Sequence, residues 1–164
     1  MSKKSRKPEI DDIDKHIISI LTLDAKTPYA EIGERVHVSA GTVHGRIKKM
    51  IDLGIIHGSR LSVDYNRLGF DICAFLGIFL KESNLYESVS KSLKRIPEVV
   101  EAHYTTGGYS IFVKVLCQDT NHLRSILSGK IQKIQGIQRT ETFISLHESI
   151  NRPLLIHELK KNDS

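Results

Sequence analysis

Tryptophan is absent from this 164-residue chain, and only 6% of its residues are aromatic. Its core must therefore come from Ile, Leu and Val. Cysteine occurs only at Cys73 and Cys117, each inside an apolar run. The pattern fits reduced core thiols in a cytoplasmic protein, with a single disulfide between them as the alternative. No apolar run approaches the roughly 18 residues of a membrane span. No hydrophobic stretch follows the basic start MSKKSRKPE, so neither an anchor nor an export signal is expected. The histidines are scattered, with no H-E-x-x-H and no C-x-x-C, which leaves no expected metal site. Nucleophile elbow and P-loop patterns are missing as well, so no catalytic residue and no cofactor is assigned. Acidic residues are the minority charge, 19 against 24 Lys and Arg, and the net charge of +5 favours a polyanionic partner.

The positive charge is unevenly placed. Between Ser39 and Arg60 the bases Arg46, Lys48, Lys49 and Arg60 face the single acid Asp52. Upstream, DDIDKHIISIL opens with acids that suit a helix start, and its apolar stripe is Ile13, Ile17, Ile20 and Leu21. Thr27-Pro28 predicts a cap and an N1 proline for a short second helix through Val36. His37 and Val38 form a turn, Ser39 caps a third helix to about Leu53, and Gly54 ends it. Ile32 to Met50 thus fits a helix-turn-helix. At 100° per residue Val43, Ile47 and Met50 share a buried stripe, while Gly41, Gly45 and Lys48 fall opposite. Each glycine weakens the helix by about 1 kcal/mol relative to alanine, in exchange for a bare outer face near its start. Residues there are the ones a recognition helix directs at base edges in a major groove. The candidate DNA-binding set is Ser39, Gly41, Thr42, His44, Gly45, Arg46, Lys48, Lys49 and Arg60. Thr42 and His44 are the candidates for base contact; Arg46, Lys48, Lys49 and Arg60 are candidates for phosphate.

Beyond Gly54 the period changes. GIIHGSRLSVDYNRLGF alternates apolar and polar residues, predicting either a two-stranded wing or a strand leading into a linker. From Ile72 on, strand and helix patterns alternate in the order β-α-β-β-α-β, the split arrangement of a ferredoxin-like fold. The first strand, ICAFLGIFL, is apolar on both faces. Helices cover one face of such a sheet, so a second copy of the chain is expected to cover the other.

The stretches DDIDKHIISIL, VSAGTVHGRIKKMIDLGII, LGFDICAFLGI, YTTGGYSIFVKV and KIQKIQGIQRTET resemble the Lrp/AsnC family of prokaryotic feast/famine regulators, and within it the AsnC-like branch. The resemblance runs from about Asp12 to Glu148. It implies an α+β protein: an N-terminal helix-turn-helix, winged-helix-like domain and a C-terminal ferredoxin-like, ACT-like βαββαβ domain. It also implies homodimers that assemble to octamers, and an amino acid effector. The expected division is a disordered basic tail at 1–10, the helix-turn-helix domain at 11–60, a linker strand at 61–70, an effector-binding and oligomerisation domain at 71–148, and a C-terminal tail at 149–164. The sequence departs from the family pattern at His37, where the turn favours glycine and a left-handed φ. It departs again at Gly33, where the family prefers alanine and a looser helix contact is expected.

By themselves Thr106, Gly107, Gly108, Tyr109 and Ser110 read first as a plain hairpin turn, and alternatively as a turn that binds a carboxylate, its glycines at φ > 0. The resemblance favours the second reading, with Tyr104 beside the turn. It brings Thr140, Glu141 and Thr142 of RTET to the same region, although Arg139 and Glu141 read alternatively as a rim ion pair. Gln132 is a candidate contact from a neighbouring subunit. Much of the family has Asp where Ser110 stands, whereas the AsnC-like branch has Ser, which points to asparagine. The expected function is a sequence-specific DNA-binding transcriptional regulator modulated by an amino acid bound between dimers. The alternative is an amino-acid-binding module that acts on a protein partner.

Overall fold

The structure, a computed structural model, describes residues 9–158; most of the basic tail expected at 1–10 lies outside them. Two compact units divide it, one of residues 9–61 with 150–158 and one of residues 62–149.

Helix α1 (Asp12–Leu23) begins with a reciprocal cap. Asp14 N donates to Asp11 Oδ1 at 2.8 Å, and Asp11 N donates to Asp14 Oδ2 at 3.2 Å. Two backbone donors left over at a helix start are thereby satisfied. Helix α2 (Tyr29–Val36) starts one residue later than expected, because Pro28 is its extended N-cap rather than its first helical residue. His37 ends it at φ 58°, ψ 44°, the left-handed conformation the turn demands. Ser39 Oγ caps helix α3 (Ala40–Asp52) by accepting from Thr42 N at 3.1 Å. The three helices bury Ile17, Ile20, Ile32, Val36, Val43, Ile47 and Met50 against one another.

Gly33 does not loosen this packing. A Cβ there would lie 2.5 Å from Val38 O, whose own N–H bonds Gly33 O at 2.9 Å. The glycine is what lets the turn close onto α2.

Neither wing nor linker strand forms among the described residues between Gly54 and Asp71; a single 3₁₀ turn, Asn66–Leu68, is seen there. Asp64 Oδ1 organises that turn by accepting from Asn66 N at 3.1 Å and Arg67 N at 3.3 Å. Alternation needs a partner strand to satisfy the backbone, and Leu61, 85% exposed, has nothing over it. The expected C-terminal tail is also more than a tail. Its 3₁₀ turn Ile156–Glu158 returns to α1, where the rings of His16 and His157 stack at 4.7 Å.

The second unit runs β1 (Ile72–Leu80), α4 (Tyr86–Leu93), β2 (Val99–Tyr104), β3 (Ile111–Cys117), α5 (Thr120–Ile126) and β4 (Ile137–Ile144). A π turn, Leu127–Ile131, extends α5. The sheet order is β2-β3-β1-β4 with every pair antiparallel, the ferredoxin-like topology expected from the element order. Period-two alternation sends Ala74, Leu76, Ile78, Leu80, Ile111, Val113, Val115 and Cys117 into one core with Val89, Leu93, Leu123, Ile126 and Ile131. Burial pushes the Cys117 thiol up to about 11, as suits an unreactive core residue. On the opposite face Phe75 stacks on Phe112 at 5.8 Å, and Tyr109 meets Phe79 and Phe143 edge-on.

Candidate DNA interface and effector site

The outer face of α3 is bare for no internal reason. A Cβ on Gly45 would meet nothing within 4 Å, and one on Gly41 only Ser39 Oγ at 3.8 Å. Packing therefore tolerates a larger residue at both positions. Thr42, His44, Lys48 and Lys49 are exposed along the same helix, and Arg60 is exposed beyond it. Thr42 Oγ1 shares a hydrogen bond with Ser39 Oγ at 2.9 Å. His44 is held from the side by Tyr29, whose ring centroid is 5.9 Å away. Sequence reasoning missed Tyr29, because nothing in a helix's first residue signals a partner on the next helix. Lys49 Nζ lies 3.4 Å from Glu9 O, so this lysine is tethered beside the helix start.

Arg46, an expected phosphate contact, is engaged within the helical unit. Its Nη1 donates to Asp11 Oδ2 at 2.7 Å and to Asp14 Oδ1 at 2.8 Å. Asp14 is 1% exposed and Arg46 26%. The capping hydrogen bond from Asp14 N and the Arg46 guanidinium hold the Asp11 carboxyl below its ordinary range, and the two acids raise the Arg46 value. Through Nη1 the arginine ties α3 to the start of α1.

In the second unit the expected effector residues divide. Tyr109 lies flat over Gly77, which leaves no room for a Cβ, and its hydroxyl donates to Glu141 Oε2 at 2.7 Å. Arg139 pairs with Glu141 Oε1, and its guanidinium sits 3.5 Å from the Phe79 ring centroid. The hydrogen bonds from Tyr109 and Arg139 lower the Glu141 pKa, and the same carboxylate raises that of Tyr109. Arg139 and Glu141 are thus the ion pair the sequence left open. Ser110 N donates to Ile78 O at 2.9 Å, and its Oγ accepts from Leu80 N at 3.4 Å. Thr105 Oγ1, unforeseen, closes the turn by donating to Tyr109 O at 2.6 Å.

Gly107 and Gly108 stand in open space, as a ligand-binding turn requires, but neither adopts the positive φ expected of it. Four residues bridge Thr105 N to Ser110 O at 3.2 Å, and that longer loop reverses the chain without a left-handed residue.

Register puts Thr140 and Thr142 opposite Ile78 and Leu76, on the helix side of β4, where Gln132 Nε2 reaches Thr140 Oγ1 at 3.5 Å. Tyr104 lies on β2, its ring 4.3 Å from that of Tyr86. Strands β2 and β4 are opposite edges of the sheet, three strand spacings or about 14 Å apart. Within one chain, the expected set is therefore spread across the width of the sheet.

A helix-turn-helix with a bare, basic outer face, followed by a ferredoxin-like domain, is the domain pair of a transcriptional regulator. Family comparison agrees: residues 10–51 match the AsnC-type helix-turn-helix domain and residues 73–155 the Lrp/AsnC ligand binding domain. Regulatory protein AsnC of Haemophilus influenzae is 49% identical over 145 residues, 88% of this chain and 97% of that one. Regulatory protein AsnC of Escherichia coli K12 is 45% identical over 145 residues, 88% and 95% of the two chains. The solved structure of E. coli AsnC superposes with a TM-score of 0.86 at 43% identity, over 90% of this chain and 99% of that one. A Neisseria meningitidis transcriptional regulator solved as an L-Met complex shares the fold, with a TM-score of 0.83 at 21% identity over 88% and 94% of the chains. The chain belongs to the Lrp/AsnC family of transcriptional regulators. Its relatives are named as regulators, not as enzymes.

Proposed function

We propose that the protein binds duplex DNA in sequence-specific fashion through α3 and that an amino acid, asparagine, tunes that binding. Gly41 and Gly45 let the helix axis settle into the major groove, where Thr42 and His44 read base edges. Ser39 caps the helix at its DNA end, while Lys48, Lys49 and Arg60 hold phosphates. The observation that carries this reading is the pair of helix-weakening glycines with no internal contact to require them. A DNA partner, together with bacterial relatives, supports a cytoplasmic location.

Homodimerisation is supported by the open sheet face, whose Phe75, Phe79, Phe112 and Phe143 no element of the same unit covers. The edge-to-edge separation of Tyr104 and Thr140 supports an effector site completed between dimers, with Gln132 or the 106–110 turn supplied by a second chain. Further assembly to an octamer fits such a site. The name shared by the relatives in Haemophilus and Escherichia, together with Ser110 in place of an acid, supports asparagine. Effector binding would act by linkage, shifting the assembly by no more than its differential affinity for the two forms.

Two measurements test the proposal. Retention of a duplex across a salt series should fall steeply as salt rises, and flat behaviour at low salt would refute phosphate binding. In a thermal-shift screen of the twenty amino acids, asparagine at 100 times its dissociation constant should stabilise by about 2.7 kcal/mol. A larger shift with another amino acid would replace asparagine as the effector.

A further inference from the structure

We infer that Arg46 is a positioning residue: it fixes the roll of the recognition helix against α1 and makes no DNA contact of its own. The inference rests on the DNA reading above. Both carboxylates at the start of α1 are fully committed: each accepts a backbone N–H in the reciprocal cap with one oxygen, and Arg46 Nη1 with the other. Moving Arg46 to a phosphate would strand Asp14, 1% exposed, without its counter-charge. A solvent-exposed phosphate contact, screened by salt, does not offset that loss.

The aliphatic contacts of α3 cannot do the same work. Val43, Ile47 and Met50 pack non-directionally, and such side chains tolerate a rolling helix. A hydrogen-bonded ion pair does not, because its strength falls steeply with misalignment. Exposed side-chain tips lie roughly 5–6 Å from a helix axis, so a 20° roll moves them about 2 Å. Base readout tolerates only about 0.5 Å. Arg46 follows Thr42 by one helical turn and His44 by two residues, so its anchor sets where both aim. The anchor also offsets one of the two negative charges that Asp11 and Asp14 place close to a helix meant to meet phosphate.

The test uses the full chain, a duplex that it selects from a random pool, and an unselected duplex, both titrated across a potassium chloride series well below melting. Arg46→Gln and Asp14→Asn should each lose tenfold or more of the preference for the selected duplex, with the salt slope unchanged. Arg46→Lys should recover part of it. Lys48→Gln should keep the preference and lose about one unit of slope. Asp14→Asn retains an oxygen acceptor for the cap, so it carries the test if Arg46→Gln fails to fold. A one-unit slope loss in Arg46→Gln, or tighter binding in Asp14→Asn, would make Arg46 a phosphate ligand and overturn the inference alone. Equal weakening on both duplexes would show a merely structural role and also overturn it. Salt-independent behaviour of the unsubstituted protein would remove the DNA reading and the inference together.

Discussion

In the helical unit Arg46 of α3 grips two acids on α1, more than thirty residues away in sequence. In the sheet unit Arg139 grips Glu141, two residues along the same strand. The chemistry is the same, an arginine on a carboxylate, yet the surroundings differ. Asp14 is 1% exposed, whereas Glu141 is 39% exposed and lies on a face that no element of its unit covers. Where the carboxylate is buried, releasing the arginine would leave a charge stranded away from water. Where it stays open, the pair remains free to be rearranged by a ligand or a second chain. Burial, more than residue type, separates a fixture from a contact.

The largest way to break this comparison is Arg46→Ala. Removing one partner of a buried pair should cost about 3 kcal/mol, read as a lower urea midpoint for the helical signal. A loss as small as that of an exposed pair would erase the distinction. Glycines sharpen it next. Gly33→Ala drives a Cβ against Val38 O and should destabilise by about 1–3 kcal/mol. Gly45→Ala, with open space around it, should stabilise by about 1 kcal/mol while weakening DNA binding, as seen by pairing thermal melts with mobility shifts.

A smaller effect concerns His16, whose pKa is lowered first by burial and then by its neighbours His157 and Arg35. Its folded value lies below the unfolded one, so its contribution is present above the ordinary histidine range and lost as pH falls through the folded pKa. His16→Gln should flatten the drop in melting temperature between about pH 7 and about pH 5, the range in which histidine titrates. Smallest of all is Glu141→Gln. The lowered pKa of Glu141 makes its contribution present above the ordinary carboxylate range and lost in acid. The variant should melt within error of the parent at neutral pH and differ only in a weaker acid dependence, while its response to effector changes.

Much of the fold was readable in advance because it is local. The acidic start of α1, the Ser39 cap and the limits of β1 follow from residues within a few positions of one another. The alternation at 55–70 misled for the opposite reason, since a strand is made by its partner and none is present. Gly107 and Gly108 misled because loop length, not residue type, decided their conformation. At the site, the exposed face of α3 was legible from its period, whereas Tyr29 beside His44 and Thr105 beneath the turn were not.

Composition and spacing alone determined the helix-turn-helix, the βαββαβ order, the aliphatic core and the bare, basic recognition face, because each depends on which side of a helix or strand a residue takes. Only the tertiary structure decided that Arg46 turns inward to Asp14, that Gly33 carries the turn against its own backbone, and that the effector candidates divide between opposite edges of the sheet. Those outcomes depend on distances between segments far apart in the chain, which no periodicity encodes.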